Sequence, residues 1–177
     1  MKKVTLCLFA VFLTAMGPRR PILPDGGDDE VMSLYSDFKV LANDFGTTLQ
    51  KESITFSFTE FFWGSSTVGL CRFYSRGPNQ IELSRSNWNR GTETFKEMLL
   101  FHELGHCALG RGHFNATHSG GRPESLMNSW LFSQNFYRQH RDEYLKELFT
   151  SLSGAQRLSF GRERNYDGCT FGEDHSH

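Results

Sequence analysis

Residues 102–113 read His-Glu-Leu-Gly-His-Cys-Ala-Leu-Gly-Arg-Gly-His, which puts three imidazoles and one carboxylate within a dozen positions. Residues four apart share a helix face, so His102 and His106 can reach the same ion. Glu103 is turned about 100° from His102 on such a helix. Its carboxylate then lies beside the ion, where it can take a proton from an activated water. Gly110 suits a left-handed helix end, and a reversal there can return His113 as a third ligand. Three protein nitrogens plus water form an open, catalytic zinc sphere, whereas structural zinc sites are closed by four protein ligands. One Zn2+ ion is therefore the expected cofactor, with Glu103 as the general base and acid of a hydrolysis.

The elements around this stretch follow from hydrophobic period and turn residues. Thr92 or Thr94 can start the histidine helix, Thr94 through a capping box with Glu97. Phe95, Met98 and Leu99 form an inward stripe that runs into His102 and His106. Val31, Leu34, Tyr35, Phe38, Leu41, Ala42 and Phe45 repeat at helical spacing, behind Asp28 and Asp29 and before Gly46. Ser53 to Thr59 alternates as a strand, Thr67 to Tyr74 is a second, and Ile81 with Leu83 marks a third. Residues 76–79 are a turn, and Asn87 to Gly91 and 111–132 are loops. Residues 133–152 form a last helix with Tyr137, Tyr144, Leu148 and Leu152 inward, stopped by Gly154.

The pattern resembles the metzincin clan of zinc endopeptidases, whose signature His-Glu-x-x-His-x-x-Gly-x-x-His precedes a turn bearing methionine. Ser125-Leu126-Met127-Asn128 is similar to that turn, and Met127 would form an apolar floor beneath the metal. Some metzincins carry tyrosine two residues later; Ser129 stands there. The spacing departs once: His106 and Gly110 are four apart where the clan has three. The added residue rotates the helix exit by about 100°, which the turn must absorb; Gly112 beside Gly110 offers freedom for that. The resemblance implies an α+β fold, a mixed twisted sheet with an N-terminal helix, an active-site helix and a C-terminal helix. It also implies that a peptide substrate adds to a sheet edge, here within Thr67 to Tyr74 or just after it.

Composition bounds the rest. A chain of 177 residues, 38% hydrophobic with 17 phenylalanines, fits a single domain with an aromatic core. A net charge of −1 and a pI near 6.6 provide no field for nucleic acid or anionic membrane. Residues 1–17 have the outline of an export signal, with Lys2 and Lys3 before an apolar run. Residues 18–30 are a linker or short pro-segment, 31–152 the metallopeptidase domain and 153–177 a polar tail. Export to a secreted or periplasmic location, with no stable membrane association after signal removal, puts the later cysteines in an oxidising compartment. A Cys71–Cys107 bridge would tie sheet to helix; the alternatives are a buried Cys107 thiol and a Cys169 thiolate on the zinc. His118 is a rival third ligand, His140 a packing residue, and Phe61, Phe62 and Trp63 a core or pocket wall. Asn115-Ala116-Thr117 matches a glycan acceptor.

The leading expectation is a monomeric, exported zinc endopeptidase acting on peptide or protein. A zinc exopeptidase or cell-wall amidase would use the same Glu103 chemistry. A non-catalytic zinc-binding module would have no use for Glu103.

Overall fold

The computed structural model describes residues 27–61, 66–150 and 169–171, the last by backbone alone. The fold is mixed α+β. In chain order it runs α1 (Gly27–Asp44), β1 (Ile54–Thr59), β2 (Thr67–Arg72), β3 (Asn79–Ser84), α2 (Arg85–Arg90) and α3 (Glu93–Cys107). Then come β4 (Trp130–Leu131), α4 (Gln134–Gln139), α5 (Arg141–Thr150) and β5 (Cys169–Phe171). β1, β3 and β2 make a small mixed sheet, with β1 parallel and β2 antiparallel to β3. The short strands β5 and β4 extend it, giving the order β1-β3-β2-β5-β4.

α3 is the central element. Every residue from Met98 to Cys107 is buried, so this helix is covered all round rather than along one stripe. The sheet covers one flank of α3. On another, Phe38 of α1 meets Phe101 edge to face at 5.2 Å and Phe149 of α5 at 5.0 Å. A disulfide joins Cys71 of β2 to Cys107 at the end of α3, Cα to Cα 5.6 Å. Closing a loop of 36 residues contributes about 4 kcal/mol by chain entropy. The last carbonyls of α3 are satisfied from the sheet side: Asn79 Nδ2 donates to Cys107 O at 2.9 Å, and Gln50 N to Ala108 O at 2.8 Å.

Several local expectations need correction. α1 starts at Gly27, inside the stretch read as linker. Asn87 to Gly91 is no loop but the end of α2, capped where Ser84 Oγ accepts the Asn87 amide. α3 is capped by Thr92, whose Oγ1 accepts from Phe95 N at 3.1 Å; Glu97 accepts instead from Tyr137 OH and Arg141, so no capping box forms with Thr94. The last helix is broken at His140, where φ is −126°. Residues 169–171 of the polar tail are a strand, and β4 lies within the expected loop. Pairing with β5 also means that β2 is not an edge strand. The reason is common to the last three: short strands are fixed by distant partners, not by local pattern. Residues 1–26, Phe62, Trp63, Leu152, Gly154 and the side chain of Cys169 lie outside the described residues.

Candidate metal centre

His102 and His106 sit one turn apart on α3, both buried, and His113 reaches them from the loop beyond, half-buried. His106 Nε2 lies 3.0 Å from His102 Nε2 and 3.2 Å from His113 Nε2. A tetrahedral zinc with bonds of 2.0–2.1 Å separates its nitrogen ligands by about 3.3 Å, so this spacing fits a single ion. The ring orientations agree. His102 Nδ1 bonds to Leu126 O at 2.8 Å and His106 Nδ1 to Arg111 O at 2.6 Å. A carbonyl only accepts, so each Nδ1 carries the proton and each Nε2 presents a lone pair.

Burial keeps both rings neutral. It pushes His102 down to about 3, helped by the neighbouring His113, and holds His106 well below its ordinary 6.5, helped by His102 and His113. Two neutral rings with lone pairs facing each other at 3.0 Å repel unless a cation lies between them. The cluster is thus competent to hold a metal ion.

The last turn of α3 is widened before Gly110. Leu104 O accepts from Ala108 N at 2.7 Å and also from Leu109 N at 3.3 Å, an i→i−5 bond. The ladder slips there as in a π-bulge, a feature that recurs at functional sites. Gly110 then bonds back to His106 O at 3.0 Å and takes φ +67°, and Arg111 N reaches Gly105 O at 2.9 Å. Gly110 alone makes the left-handed reversal; Gly112 does not have positive φ.

Glycines admit the remaining groups. A Cβ at Gly105 would meet Met127 Sδ at 2.3 Å, so Met127 packs directly on α3 between the two histidine positions. A Cβ at Gly69 would meet Glu103 Oε1 at 2.6 Å and Leu99 Cδ1 at 2.8 Å. The buried Glu103 carboxylate therefore occupies the space vacated at position 69 of β2. The chain matches no family model, no curated protein and no solved structure. The site's meaning thus rests on its own geometry.

Sequence reasoning missed the groups that hold this geometry. Arg111, wholly buried, donates to Glu147 O and Leu148 O at 3.0 Å each and pairs with the Glu147 carboxylate. Ser125 Oγ donates to Glu147 Oε2 at 2.7 Å and accepts from Met127 N at 2.9 Å. Phe114 N bonds Met127 O at 2.8 Å. One carboxylate on α5 thus ties the His113 loop to the Met127 turn. The local signal for it was weak: an arginine between two glycines and next to a ligand loop. His118 is exposed and outside the cluster, and His140 pairs with Glu143 instead of packing inward. Phe61 is half-buried. A cavity of about 670 Å³ borders Phe95 and Met98 of α3 and runs along Trp130, Phe132 and Phe136.

Proposed function

We propose that the chain is an exported zinc-dependent endopeptidase of metzincin-like design. The observation that carries the reading is the pair of Nε2 lone pairs 3.0 Å apart, their Nδ1 atoms fixed on carbonyls, next to a buried Glu103. A binding module would need the three imidazoles but not that carboxylate. Burying it costs free energy, and β2 gives up a side chain at position 69 to hold it.

His102, His106 and His113 would hold the ion through Nε2. When bound, zinc acidifies a water towards a pKa of ~7 and polarises the scissile carbonyl. Glu103 accepts the proton from the attacking water and delivers it to the departing amine nitrogen. The Leu126 and Arg111 carbonyls keep both helix imidazoles in the Nδ1-protonated form throughout. The cavity against Phe95 and Met98, one turn before His102, mixes aromatic walls with polar groups such as Gln134 and Arg138 and would receive a side chain of the substrate.

The test is Glu103→Gln, with metal analysis alongside mapped cleavage of a peptide library. One zinc per chain should remain, while kcat/KM falls about 10²- to 10⁴-fold, the usual range for general acid–base catalysis. Internal cuts should vanish with chelator. Retained activity in the variant would refute the role of Glu103, and release of terminal residues alone would favour an exopeptidase.

A further inference from the structure

β5 joins two elements that frame the metal centre. On one side it runs antiparallel to β2, with Cys169 opposite Gly69, the residue that packs on Glu103. On the other it runs parallel to β4, with Thr170 opposite Trp130 and Phe171 opposite Leu131. β4 begins three residues after Met127, and β5 also comes within 8 Å of α3, Cα to Cα. With β5 withdrawn, β2 and β4 would face each other across two strand spacings, about 9.6 Å. That slot accepts one extended chain, antiparallel to β2 and parallel to β4, and it lies alongside Glu103. Gly69 is the kind of strand position at which another backbone can approach closely.

We propose that residues 169–171 are a built-in occupant of the peptide-binding slot, so the chain holds itself in a self-occluded state that an extended substrate must displace. This rests on the endopeptidase reading for its consequence, though not for its geometry. A peptide in the slot gains main-chain hydrogen bonds on both sides. A tethered occupant competes at an effective concentration of about 1 mM. A free peptide of ~100 μM affinity would then bind about tenfold more weakly to the native chain than to one with the slot open.

The experiment uses the full chain and a fluorescent peptide of residues 165–174 with serine in place of its cysteine, so that binding reports backbone pairing and not a thiolate. Thr170→Pro removes an amide from an interior strand, where proline is not accommodated; Thr170→Val keeps it. The peptide should bind the Thr170→Pro chain about tenfold tighter than the native chain, and the Thr170→Val chain like the native one. Equal binding to all three, or binding to none, overturns the proposal. Because a proline variant can lose its fold, amide exchange of the native chain supplies a second reading. Residues 169–171 should exchange more slowly than a free chain, and free-chain rates there would also overturn it. The two readings separate cleanly. A peptide that binds the Thr170→Pro chain while neither form hydrolyses anything leaves the occluding strand standing and removes the endopeptidase. Cleavage of other peptides with no binding of this one does the reverse.

Discussion

Replacing Gly69 with alanine should disable the site without touching a ligand. The new Cβ would lie 2.6 Å from Glu103 Oε1, which is 0.8 Å inside the 3.4 Å limit of ordinary contact, and 2.8 Å from Leu99 Cδ1. Leu99 is wholly buried and has little room to give, so the displacement falls mainly on the flexible end of Glu103. Misplacing a catalytic group by about 1 Å costs on the order of 10²-fold in rate. Overpacking at Leu99 adds a stability loss of about 1–3 kcal/mol. Neither imidazole is among the atoms the new Cβ would meet, and both keep their carbonyl anchors. Gly69→Ala should therefore bind one zinc with native affinity, melt a few degrees lower and lose about 10²-fold in kcat/KM. Zinc titration, thermal melting and steady-state kinetics read the three effects separately. Native turnover in a folded, zinc-loaded Gly69→Ala chain would refute the assignment of Glu103, since the carboxylate would have moved without consequence.

Two further outcomes follow from the supporting network and the buried rings. Glu147→Ala leaves the buried Arg111 guanidinium without its carboxylate and frees Ser125 from α5. Breaking a buried pair from one side costs about 3–5 kcal/mol, so a large drop in Tm with weakened zinc binding is expected, and an unchanged melt would refute the network. Acid should destabilise the metal-free chain. His102 and His106 have folded pKa values depressed below 6.5, His102 to about 3, so the unfolded chain takes up their protons first. Their contribution is fully present above pH 6.5 and is lost as pH falls from there. Both therefore tilt the stability towards unfolding as pH falls below 6.5. Urea unfolding between pH 6.5 and 4.5 measures it, and His102→Gln should make the profile shallower; a profile unchanged by the substitution would contradict the burial of His102.

The residues of the site were legible because metal chemistry restricts side-chain type and helical geometry restricts spacing. His102, Glu103 and His106 needed only that, and the clustering of His113 with them needed only a left-handed glycine. The bridge between Cys71 and Cys107 could be weighed as a pairing from expected export and from position, since few cysteines competed. The groups that orient the ligands were not legible. Leu126 and Arg111 act on the histidines through backbone carbonyls, which every residue has, so their identities carried no signal. Gly69 and Gly105 act through the absence of a side chain, and the atom each one admits belongs to a distant element. β5 is three residues long and pairs with segments about 100 and 40 positions away. No local period can report such a strand.

The four-residue spacing between His106 and Gly110 is accommodated by a widened last turn of α3. A rigid α-helical continuation would have turned the exit by about 100° and sent His113 elsewhere. The carbonyl of Leu104 instead serves two amides, which widens the helix before Gly110. As at any helix end, the last carbonyls find no partner within the helix. The sheet and the segment before β1 supply partners: Asn79 and Gln50 donate to the carbonyls of Cys107 and Ala108. The same turn carries the disulfide to β2. The widened helix end, its external donors and its covalent link to the sheet thus act together.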